Sequence, residues 1–166
     1  MPEEKVKQRA RRAKAEGKSP TTQAGAFVHE EIRHIRKGEH GARSAKQAIA
    51  IGLSKARRAG VDLPPPARGT TSERTRRSAK RAYELGRGAR PKRRPSRRRS
   101  RAIEAALKRE GRSAASSSAL SRQARSAAAR RTRSERSAAA KKATRTKGPT
   151  ARSRAAKKAA RTRAGH

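Results

Sequence analysis

The sequence predicts a mainly α protein: a small N-terminal helical module of about three helices, followed by a largely disordered, conditionally helical basic arm. Three observations lead there. Of 166 residues, Leu, Ile, Val and Phe number only 14, whereas 35 are alanine. Ten of those 14 lie within residues 1–66, and after Leu107 only Leu120 remains. Charge runs the other way: 49 Lys and Arg against 12 Asp and Glu give a net charge of +37, of which +29 falls in residues 67–166. So little apolar surface cannot offset the ordering entropy of the whole chain, so a core is expected only where the apolar residues gather.

The first helix is expected over 3–16, ending at Gly17, with Glu3 and Glu4 at the positive end of its dipole. Ser19 then fits an N-cap and Pro20 the first helical position. Ala24, Phe27, Val28, Ile32 and Ile35 recur at helical spacing and make one apolar stripe, which Gly38 can end in the left-handed conformation. Ser44-Ala45-Lys46-Gln47 is a capping box. The helix it opens carries Ala45, Ala48, Ile49, Gly52, Leu53 and Ala56 on one face, has Lys55, Arg57 and Arg58 in its last turn, and closes at Gly60. A module of about 60 residues is marginal on its own, which leaves room for a homodimer through residues 1–62.

Residues 63–69 form a Pro-rich spacer, since Pro64-Pro65-Pro66 favours polyproline II. Over 70–111 two short helices flank a basic extended segment. One, at 71–85, is opened by the capping box Thr70-Thr71-Ser72-Glu73. The other, at 101–110, is capped by Ser100, has Ile103, Ala106 and Leu107 on one face, and stops at Gly111. Residues 112–166 are a low-complexity tail of Arg, Lys, Ala, Ser and Thr. Arg-Ser-Ala-Ala starts at 112, 125 and 136, and the run from Ala139 to Lys147 recurs in altered form from Ala155 to Arg163. Alanine favours helix there and like-charge repulsion at i,i+4 opposes it; disorder is expected until phosphates neutralise the arginines.

A chain this basic needs a polyanion. Duplex DNA is the partner expected, with RNA or a ribosome-associated role as the alternative; a third reading is a protein-interaction module tethered to nucleic acid by its tail. Arginine outnumbers lysine 34 to 15, which suits bidentate phosphate contact. The candidate nucleic-acid contacts are Arg87, Arg90, Lys92, Arg93, Arg94, Arg97, Arg98, Arg99, Arg101, Lys141, Lys142, Lys157 and Lys158. Such contacts position a protein on the backbone and carry no base information. No membrane partner is expected, because no 18-residue apolar stretch exists. Met1-Pro2-Glu3-Glu4-Lys5 lacks the apolar segment of a secretory signal, so a cytoplasmic, nucleoid location is expected.

Residues 86–95, Gly-Arg-Gly-Ala-Arg-Pro-Lys-Arg-Arg-Pro, resemble an AT-hook, whose extended arginines lie in the narrow minor groove. Ala89 stands where the core glycine of the hook belongs, so a basic run that meets phosphates is the reading preferred. His29-Glu30-Glu31-Ile32-Arg33-His34 has the outline of a zinc-protease motif. Its histidines are five apart, about 140° around a helix, and cannot share a metal. Glu30 and His34 are expected to pair on the surface, and His40 to lack a partner. With no cysteine, no phosphate loop and no nucleophile motif, neither catalytic residues, nor a metal, nor a cofactor is expected.

Ser19 to Val28, Ile32, Gly41 to Ser44 and the run Lys46-Gln47-Ala48-Ile49-Ala50-Ile51-Gly52-Leu53-Ser54 on to Gly60 together resemble an uncharacterised domain found in small basic bacterial proteins, loosely labelled DNA-binding. The resemblance covers roughly residues 1–66 and brings no activity or site residues. The Ala-Ala-Lys-Lys-Ala repeats are similar to the tails of linker-histone-like bacterial proteins. Together these imply a histone-like, nucleoid-associated role.

Overall fold

The apolar stripe of residues 24–35, Pro20 in the first helical turn and the caps at 38 and 44 produce helices, while the Ser19 hydroxyl meets those of Thr21 and Thr22 and caps no backbone N–H; the core these helices build does not stop at residue 62. The computed structural model describes residues 3–89, 91 and 96–164. Their regular structure is entirely helical: α1 (Glu4–Ala15), α2 (Pro20–Lys37), α3 (Ala45–Arg58), α4 (Glu73–Gly86), α5 (Arg97–Arg109), a 3-10 turn (Ser113–Ala115), α6 (Ser117–Ala129) and α7 (Arg133–Ala164). The chain divides into two compact units, Met1–Gln123 and Ala124–His166.

In the first unit α2 packs on α1 and α3, α4 packs on α3, and the 3-10 turn rests on α2 and α3. Two apolar clusters fill it. One joins Val6 and Ala10 of α1 to Ala24 and Phe27 of α2, Ala56 of α3 and Val61. The other joins Ile32 and Ile35 of α2 to Ala42, Ala48, Ala114 and Ala115, with Val28 and Leu120 against it. Alanines at 79 and 82 bury the inner face of α4.

Small residues let these helices approach closely. A Cβ on Gly52 would lie 2.7 Å from the Cα of Val28, so α2 and α3 cross backbone to backbone. Gly86, the last residue of α4, abuts the Arg57 carbonyl in the same way, and Gly41 abuts Glu110. The Gly41 N–H donates to the Leu107 carbonyl (2.8 Å) and the Ala42 N–H to that of Gly111 (3.2 Å), which fastens the end of α5 to the turn before α3.

Caps account for the helix ends. Gly38 adopts the left-handed conformation (φ 82°) after α2. Ser44 Oγ accepts the Gln47 N–H at 3.2 Å, and Gln47 Oε1 accepts the Arg43 N–H at 3.0 Å. For α4 the cap is Ser72, which accepts the Thr75 N–H at 3.3 Å, rather than Thr70. The proline-rich segment is held by Arg57, whose buried guanidinium donates to the Leu63 (3.0 Å) and Pro64 (3.3 Å) carbonyls. Burial lowers the pKa of that guanidinium.

The expected fold, a three-helix module followed by a disordered arm, is therefore corrected in two respects. The packed unit runs on to residue 123, because alanines rather than large side chains form its later layers. The tail is helical. Ser96 accepts the Arg99 N–H (3.2 Å) and starts α5 at Arg97, four residues before the expected start. Ser116 accepts the Ala119 N–H (3.2 Å) and opens α6. Thr132 and Glu135 form a reciprocal capping box on α7: Thr132 N–H to Glu135 Oε2 (2.7 Å) and Glu135 N–H to Thr132 Oγ1 (3.2 Å).

The second unit has no Leu, Ile, Val or Phe, so its helicity comes from alanine propensity and this cap. Repulsion is also weaker than composition suggests. Many cations have a small neutral residue four positions on, as in Arg133–Ser137, Arg136–Ala140 and Arg152–Ala156. Gly148 (φ 63°, ψ 169°) interrupts α7, and Pro149 then starts the second stretch, where a missing N–H costs nothing.

Candidate nucleic-acid interface

The sequence-derived contacts fall into three groups. Arg87 lies just beyond the end of α4. Its Nη1 donates to Tyr83 Oη (2.7 Å) and sits 3.6 Å from Asp62 Oδ1, with the guanidinium 5.4 Å from the Tyr83 ring centre. The phenol donates in turn to Asp62 Oδ1 at 2.5 Å. The Tyr83 hydrogen bond, then the charge of Asp62, raises the Arg87 pKa. Arg87 is thus engaged within the protein. The hook-like reading of 86–95 loses its first half, since Gly86 and Arg87 finish a helix; Arg90, Lys92, Arg93 and Arg94 lie outside the described residues.

Arg97, Arg98, Arg99 and Arg101 occupy the first turns of α5, all exposed. No acid shares that first turn. Cations there face the positive end of the helix dipole, an unfavourable arrangement that an anion bound between them would relieve. None of the residues of α5 is buried, and Ile103 is 55% exposed.

Lys141 and Lys142 lie on α7 before its break at Gly148, and Lys157 and Lys158 after it, all exposed. The sequence of α7 holds 12 Lys and Arg and one acid, Glu135. With no side chain larger than these polar ones to bury, the helix offers cations around its circumference instead of an apolar face.

A second constellation was not legible in the sequence. Glu30, expected on the surface, is 1% exposed, and its Oε1 accepts the Glu3 N–H at 2.7 Å. Glu31 is fully buried; Lys55 Nζ lies 2.6 Å from its Oε2 and His40 Nε2 lies 3.4 Å from its Oε1. His34 Nε2 is 3.4 Å from Glu3 Oε1 and its Nδ1 3.7 Å from Glu39 Oε2. Hydrogen bonds from Arg33 and then His34 lower the Glu3 pKa. The His34 and His40 rings meet edge to face, with centroids 6.5 Å apart. His40 therefore does have partners, and its companion is His34; His29 is exposed on another face of α2.

No helix among the described residues is long and apolar enough to cross a membrane. Comparison with curated proteins and with solved structures returns no match. Residues 3–67, which take in α1, α2, α3 and the proline-rich segment, match an uncharacterised domain family, the family of unknown function DUF6496.

Proposed function

We propose that the protein is a non-enzymatic DNA-binding protein that grips the phosphate backbone with little sequence preference and compacts or bridges duplexes in the nucleoid. The supporting observation is α7, a helix with 11 exposed Lys and Arg among the described side chains, one carboxylate and no apolar face. Such a helix gains nothing from packing against protein, whereas along a duplex it meets about one negative charge per 1.7 Å. The arginines at the start of α5 support the same reading. So does the sequence charge of each compact unit, +23 up to Gln123 and +14 beyond it: two separately cationic units suit the bridging of two duplexes.

Duplex DNA is preferred over single-stranded RNA because aromatic platforms are lacking. Phe27 is fully buried, and Tyr83 is committed to Asp62 and Arg87. The test is competition, at matched salt, between a labelled DNA duplex and a structured RNA of equal charge for the full-length protein. Binding to the duplex at least as tight as to the RNA, and insensitive to duplex sequence, is the expected result. A clear preference for the RNA would replace DNA with RNA in this reading.

A further inference from the structure

In a chain with so few acids, four of the 12 surround two histidines between α2 and the start of α3. His40 Nδ1 lies 3.1 Å from the Gly41 carbonyl oxygen, which only accepts, so the ring proton is assigned to Nδ1. Nε2 then carries a lone pair and lies 3.4 Å from Glu31 Oε1, a second acceptor. Glu31 is fully buried, and among the described residues neither of its oxygens has an aligned hydrogen bond; Lys55 brings a charge to the Oε2 side. Glu30 Oε2, also buried, likewise lacks a donor among the described residues. Two acceptors this close together, one of them fully buried and the other largely covered, call for a cation between them.

The donor geometry suits a metal ion. Glu31, His34 and His40 each offer a ligand atom, all within 4.8 Å of one another, and Glu3 and Glu30 approach His34 equally closely. Whichever nitrogen of His34 binds, the other faces a carboxylate within 3.7 Å, the outer support that metal-bound imidazoles commonly have. By formal charge, Glu3, Glu31 and Glu39 against Lys55 and Arg33 leave one negative charge, which favours a cation. Two imidazoles and a carboxylate without sulfur suit zinc and its neighbours rather than magnesium or calcium. We infer that Glu31, His34 and His40 form a binding site for a divalent transition cation of the zinc class, fastening α2 to the turn that leads into α3.

The competing occupant is a proton on His40 Nε2, which would make a simple ion pair with Glu31. The experiment takes full-length protein freed of metal by a chelator and titrates it with Zn2+ at neutral pH, following imidazole resonances by NMR. One tight equivalent should bind, shifting His34 and His40 but not His29, and the melting temperature should rise. His34→Ala and His40→Ala should each lose that equivalent, and His29→Ala should keep it. The wild-type spectra decide the matter even where a variant fails to fold. Absence of stoichiometric binding, or binding that shifts His29 or His166 in place of His34 and His40, would overturn the site.

Discussion

Glu31 Oε2 and Lys55 Nζ lie 2.6 Å apart across the α2–α3 interface, with the carboxylate fully buried and the ammonium largely covered. A buried charge pair of this kind adds little over an apolar pair of the same size, but losing one partner strands the other. Lys55→Met should therefore destabilise the protein by about 3 kcal/mol, read by urea unfolding in the presence of a chelator. Adding Glu31→Gln to that variant should restore much of the loss. A Lys55→Met variant as stable as wild type would mean that the pair does not form.

Two glycines test the close crossing of α2 and α3. Both are helical, yet a Cβ on Gly52 would strike Val28, whereas one on Gly25 meets nothing within 4 Å. Gly25→Ala should stabilise by up to about 1 kcal/mol through helix propensity. Gly52→Ala should destabilise by about 1–3 kcal/mol through overpacking. Equal effects of the two substitutions on the melting temperature would contradict the crossing.

The start of α7 should depend on pH. The Thr132 backbone N–H, then the Thr132 hydroxyl, hold the Glu135 carboxyl below its ordinary value of 4.5. A carboxylate lowered on folding supports the helix above that ordinary value and loses the support as pH falls through the folded value. Amide and Cα shifts at 132–136 should stay helical down to pH 4.5 and move towards coil below it. Thr132→Ala should return the Glu135 titration to the ordinary range. A Glu135 titration already at 4.5 in wild type would contradict the cap.

Much of α1 to α3 was legible, because Phe27, Ile32 and Ile35 are large and recur at helical spacing, and Ser44 and Gly38 are strong end signals. The continuation of the core was not. Ala79, Ala82, Ala114 and Ala115 are buried, but alanine carries too weak a signal to distinguish core from exposed helix. Their burial depends on close approaches at Gly41, Gly52 and Gly86 that only a fold reveals. The helicity of the tail was partly readable: Thr132-x-x-Glu135 is the same kind of box as Ser44-x-x-Gln47, but the like charges that surround it argue against helix.

The histidine–carboxylate cluster was hidden for a different reason. His34 and His40 are brought together by the left-handed turn at Gly38, and helical periodicity counts residues along one axis only. Glu3 reaches the same cluster from the start of α1, a contact with no local sequence signal.

The most direct measurement is the salt dependence of duplex binding by the full-length protein, with and without Lys141, Lys142, Lys157 and Lys158 replaced by Gln. Engagement of about 8 phosphates predicts a slope of log K against log salt near −7, and removal of four contacts should flatten it by about 3 to 4. A slope near zero, or one that the four substitutions leave unchanged, would contradict backbone binding through α7.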